Sequence, residues 1–102
     1  MSNTGLLQSD LNIVLSVLGE FPNVKEAILF GSRAKGNFRR GSDVDIALKG
    51  EKLNLEIVTK ISYRLNEETI LPYKFDILDY QSINNTKLTE HINRIGISFY
   101  KK

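Results

Sequence analysis

Two aspartates separated by a single residue, Asp43 and Asp45, follow a loop rich in positive charge within ILFGSRAKGNFRRGSDVDIALKG, Ile28 to Gly50. On an extended strand, side chains two apart share a face, about 6–7 Å apart along the backbone, so both carboxylates can converge on one point. Two bare carboxylates that close repel each other, and one takes up a proton unless a cation relieves them. Mg²⁺ suits the task, because it takes oxygen ligands, commonly one or two carboxylates together with substrate phosphates. A strand built on Val44, Ile46 and Leu48 needs no aspartates in order to fold. The plain alternative is that Asp43 caps a turn and Asp45 is solvated, since isolated Asp-x-Asp pairs arise often by chance.

Gly31-Ser32 stands upstream of that pair. A glycine at a strand end lets the backbone turn tightly or lets a ligand approach closely. A short helix starting at Ser32 would offer free N–H groups to an anion, with the Ser32 hydroxyl and the charges of Arg33 and Lys35 beside them. A plain turn with serine as helix cap explains the same residues. Gly31 and Gly36 have the spacing of a P-loop, but Asn37 and Phe38 follow where Lys and Ser or Thr are required, so that motif is absent. A third carboxylate, Asp76 in KFDIL, interrupts an apolar strand where a charge is otherwise costly. Asp79 competes for that role, but it sits near a strand end, faces the other way and is easily solvated. A phosphate cradle and a carboxylate set at neighbouring strand ends are the parts needed for phosphoryl or nucleotidyl transfer.

The elements that would carry these residues can be read from periodicity. Leu7, Leu11, Val14 and Leu18 mark an amphipathic helix over Leu6–Leu18, ended by Gly19 and Pro22. Val24–Phe30 reads as a strand, Asp43–Leu48 as a second with period-two alternation, and Tyr73–Tyr80 as a third. Helices are expected over Asn54–Glu68 and Asn84–Ile95, with GISFYKK as a tail. This order predicts an α+β fold, a small mixed β-sheet with helices packed on one face. The chain has 102 residues, enough for one domain over 1–102, with 41% hydrophobic and 25% charged residues and no cysteine. No segment is apolar enough to span a membrane and the start is unlike a signal peptide, so a cytoplasmic location is expected. A net charge of +2 gives no argument for nucleic acid as a partner.

GSRAKGNFRRGSDVDIAL resembles the signature of the DNA polymerase beta-like nucleotidyltransferase superfamily: Gly-Ser, ten residues, then Asp-x-Asp. Gly31, Ser32, Asp43 and Asp45 match it, Ala34 and Gly36 fit its usual opening, and Asp76 matches its third acidic residue. The chain looks most like the minimal nucleotidyltransferases, which include antitoxins paired with HEPN-domain toxins. The resemblance implies a polymerase beta palm-like core, with Asp43, Asp45 and Asp76 as catalytic residues and metal ligands for two Mg²⁺ ions, or Mn²⁺ in their place. It implies that Gly31 and Ser32 bind the terminal phosphates of ATP or another nucleoside triphosphate, and Arg33 is counted with them as nucleotide-binding. An acceptor hydroxyl would attack the α-phosphate and pyrophosphate would leave. His91, on a charged helix, is expected to be solvated.

The acceptor side gives three expectations. The sequence has no segment evident for holding an acceptor, so the acceptor should dock on an open face as a macromolecule. In the relatives it is a tyrosine of a HEPN-type helical toxin, which makes the chain an adenylylating antitoxin. A nucleotidyltransferase for a small acceptor such as an aminoglycoside, with a separate helical partner, is the second. A module that neutralises its partner by binding alone is the third, and the intact set of three aspartates speaks against it. Arg39 and Arg40 are read either as solvated charges or as a phosphate or partner contact.

Overall fold

The computed structural model describes residues 3–102. Helix α1 (Gln8–Gly19) leads to strand β1 (Glu26–Phe30), a short helix α2 (Gly31–Lys35) and strand β2 (Val44–Lys49). Helix α3 (Leu55–Glu67), strand β3 (Phe75–Asp79), a single 3-10 turn (Tyr80–Ser82), helix α4 (Thr86–Ile95) and strand β4 (Ile97–Lys101) follow. The strands form one mixed sheet in the order β3-β2-β1-β4, with β2 and β3 parallel and the other pairs antiparallel. Asn54 caps α3 by accepting from the Ile57 N–H at 2.9 Å, and Asn85 caps α4 by accepting from Lys87 and Leu88. The expected mixed α+β architecture is therefore present.

Alternation along the strands divides the interior in two. Ala27 and Leu29 of β1, Val44, Ile46 and Leu48 of β2, and Phe75 and Ile77 of β3 face one way, toward Val14, Val17 and Leu18 of α1 and Val58, Ile61 and Leu65 of α3. Ile28 and Phe30 of β1 and Ala47 of β2 face the other way, against Ile92 of α4. The placement of helices on one face thus holds for α1 and α3 but not for α4, which covers the opposite face. The cause is β1, which is apolar on both sides and so needs cover on both. The expected tail is a fourth strand: Ile97–Lys101 pairs with β1, interrupted by a register shift between Ala27 and Ile28. No helix among the described residues is long and apolar enough to cross a membrane.

Candidate active site

Two of the three aspartates come from neighbouring strands, and the third immediately precedes one of them. Asp45 of β2 lies in register with Asp76 of β3 on one side and with Phe30 of β1 on the other. By strand alternation, Asp45, Asp76 and Phe30 belong to the face that α4 covers, and the alternating apolar residues on the opposite face fix that choice. Asp43 stands one residue before β2 rather than within it, and is exposed, as is Asp76. Asn66 of α3 settles the position of β3. Its carboxamide accepts from the Phe75 N–H at 2.8 Å and donates to the Phe75 carbonyl at 3.0 Å. Asp79 serves elsewhere: its carboxylate accepts from the Gln81 N–H and from the Ser82 hydroxyl, closing the 3-10 turn.

The electrostatics of this set are those of crowded like charges. Asp45 is half-buried, and its pKa is raised from the ordinary carboxylate value by burial first, then by the charge of Asp76, then by that of Asp43. Among the described residues no three acidic or histidine side chains already close on one point as a finished metal cage. What the strands present is a set of hard oxygen donors in mutual repulsion, and a divalent cation is the group that would relieve it. The donor set therefore fits Mg²⁺ or Mn²⁺, and Asp43, Asp45 and Asp76 are the residues that would hold it.

Gly31 opens α2 directly from the end of β1, with φ +75°. A Cβ at this position would run into the carboxylate of Asp45. Both uses of a strand-end glycine are met here, and the group that comes close is the aspartate itself. The Gly31 N–H donates to Nε2 of His91 at 3.1 Å, and the imidazole stands edge-on to the Phe30 ring at 6.3 Å. His91 is therefore not a solvated residue of α4: it is half-buried and holds the turn that begins with Gly31. Its place on a face between Leu88, Ile92 and Ile95 was the available signal. Ser32 is half-buried at the second position of α2.

Arg33 departs furthest from expectation. It is only 4% exposed, and its guanidinium is already engaged within the protein. Nη1 donates to the Thr4 carbonyl at 2.8 Å, while Nε and Nη2 both donate to the Ser42 carbonyl, at 3.3 and 3.0 Å. The Phe38 and Tyr73 rings lie 5.2 and 5.1 Å from its central carbon. In this structure its donors serve the Thr4 and Ser42 carbonyls rather than standing free for a nucleotide. Arg39 and Arg40 remain exposed, although the Arg39 N–H is fixed by the Ser42 hydroxyl at 2.8 Å. An apolar cleft of about 520 Å³ lies off the far end of β3, between Leu55, Ile77, Leu78, Ile83 and Leu88, and none of the three aspartates lines it.

The same arrangement of strands and helices recurs in solved structures. A chain of a toxin–antitoxin complex with AMP-PNP matches with a TM-score of 0.72 at 23% identity, over 95% of this chain and 75% of that one. A chain of the complex between tri-AMPylated Shewanella oneidensis HEPN toxin and MNT antitoxin matches with a TM-score of 0.70 at 22% identity, over 93% and 72%. A putative nucleotidyltransferase from Sulfolobus solfataricus matches with a TM-score of 0.56 at 22% identity, over 96% and 92%. These likenesses establish the fold. No functionally curated protein sequence matches the chain. The family model for polymerase beta nucleotidyltransferases matches residues 12–102, which contain the Gly-Ser turn and all three aspartates. The chain belongs to the polymerase beta nucleotidyltransferase family.

Proposed function

We propose that the protein transfers AMP from ATP to a hydroxyl of a HEPN-type protein partner, most simply a tyrosine, and that it acts in the cytoplasm as the antitoxin of that partner. The observation that carries this reading is the register pairing of Asp45 with Asp76, with Asp43 adding charge from the same end of β2 and Gly31 against the Asp45 carboxylate. Divalent cations held by the three aspartates would neutralise the triphosphate and the departing pyrophosphate. Gly31 and Ser32 orient the terminal phosphates so that the α-phosphorus faces the acceptor. The acceptor oxygen bonds to the α-phosphorus, the bond from that phosphorus to the bridging oxygen breaks, and pyrophosphate leaves. The hydroxyl proton passes to Asp76, which is exposed to an incoming acceptor. Support for the partner class comes from the structural relatives, which include complexes with HEPN toxin, one of them AMPylated.

The test is mass spectrometry of the cognate partner after incubation with this protein, Mg²⁺ and labelled ATP. The expected result is added AMP on a tyrosine. Asp76→Asn should slow the transfer by on the order of 10³-fold while leaving the partner bound. A tightly bound partner that stays unmodified, and is still neutralised by Asp43→Asn and Asp76→Asn, would replace the enzyme with a binding antitoxin.

A further inference from the structure

We propose that Arg33 is the positioning residue for Asp43, and that the N-terminal turn at Thr4–Gly5 is the part of the fold that locks Arg33 in place. The proposal rests on the reading of Asp43 as a metal ligand. Two donors of one guanidinium, Nε and Nη2, converge on the carbonyl of Ser42. That carbonyl belongs to the same rigid peptide plane as the Asp43 nitrogen, so fixing its oxygen fixes the plane from which Asp43 projects. A planar fork makes two such bonds with one orientation, which a lysine ammonium cannot reproduce. Arg33 also follows Ser32 directly, so one side chain sets the distance between the Gly-Ser turn and the first aspartate.

The guanidinium is held on every side. Phe38 and Tyr73 cover its faces, and the Tyr73 hydroxyl donates in turn to Asp10 of α1 at 2.7 Å. Its remaining edge is taken by the Thr4 carbonyl, and Thr4 is itself buried. The next residue, Gly5, has φ +74°, and a Cβ there would stand 2.5 Å from Cε2 of Phe38 and 2.8 Å from Nη1 of Arg33. A glycine is therefore required for this turn to close over the guanidinium. A segment that precedes the first helix is thereby coupled to the geometry of the site.

The test uses the full chain and Mn²⁺ as the probe, with uptake read from the electron paramagnetic resonance of the free ion in the presence of the α,β-methylene analogue of ATP. Arg33→Lys and Gly5→Ala should each weaken Mn²⁺ binding by about tenfold, the usual size of an effect transmitted through a ligand's support, while analogue affinity in EDTA changes by less than about twofold. Asp43→Asn is the control and should weaken Mn²⁺ at least as much. Melting followed by circular dichroism confirms that each variant is folded. Should Arg33→Lys or Gly5→Ala fail to fold, the other carries the test, joined by Phe38→Leu, which opens one face of the guanidinium. Wild-type Mn²⁺ affinity in the folded variants, with Asp43→Asn weakened, would overturn the positioning role alone. Loss of analogue affinity in EDTA would return Arg33 to the nucleotide and also overturn it. No effect of Asp43→Asn would remove the metal reading, and this proposal with it.

Discussion

Burial and the neighbouring charges of Asp76 and Asp43 make the charged form of Asp45 costly to the fold. Its folded-state pKa lies above the unfolded value, so the native protein binds its proton more tightly than the unfolded chain does. Stability should therefore fall as pH rises from the ordinary carboxylate value through the raised one, and the penalty persists at neutral pH. Asp45→Asn removes that charge. In EDTA at pH 7 it should melt a few degrees above wild type, with the advantage shrinking as the solution is acidified through the carboxylate range. Adding Mg²⁺ and ATP should reverse the order, because a ligand that binds only the folded state stabilises the protein able to hold it. Equal melting in EDTA would remove the crowding argument. Gly31→Ala should cost about 1–2 kcal/mol for the left-handed backbone, plus the collision with Asp45. That second part should vanish in an Asp45→Ala background, as a double-mutant cycle followed by denaturant melts would show. The aspartates and Gly31 could be singled out in the sequence because their types are informative at fixed spacing. Arg33 was singled out too, but its burial was not legible, because what surrounds it is two backbone carbonyls and two rings supplied by Thr4, Ser42, Phe38 and Tyr73. A backbone carbonyl leaves no mark on residue type.

At the level of elements, periodicity located each helix of more than two turns and missed what depends on a neighbour. Strand β4 has too short a pattern to stand out, and it is a strand because the outer edge of β1 is there to pair with it. The side taken by α4 was legible in principle: Ala27-Ile28-Leu29-Phe30 is apolar without alternation, the pattern of a strand covered on both faces. What the sequence does not show is that α4 also delivers His91 to Gly31. His91→Phe keeps a ring against Phe30 and removes the acceptor, leaving the Gly31 N–H without its partner. We expect a loss of about 1–3 kcal/mol in denaturant melts, the cost of a polar group deprived of its bond. His91→Gln, which can offer an oxygen in the same place, should recover part of it. Equal losses in both would assign the role of His91 to packing alone.

On the scale of the molecule, Arg39 and Arg40 are exposed in the loop between α2 and Asp43, so a partner of the proposed kind would meet positive charge on this loop. Steering by exposed charges fades as the Debye length shrinks from about 10 Å at 0.1 M salt to about 3 Å at 1 M. Reversing both to glutamate should slow association with the cognate partner at low salt and leave it unchanged at high salt, as stopped-flow mixing would show. An unchanged rate at low salt would make them plain surface charges. The sheet has an open flank at β3, since β2 is the neighbour on only one side. There the carboxamide of Asn66 satisfies both backbone groups of Phe75, in the manner of a passing strand. A flank stoppered in this way resists stacking against another chain's strand, the usual route from an unprotected edge to insoluble aggregate. The side chain that keeps Asp76 level with Asp45 thus doubles as a safeguard of solubility, and Asn66→Ala would put both at risk together.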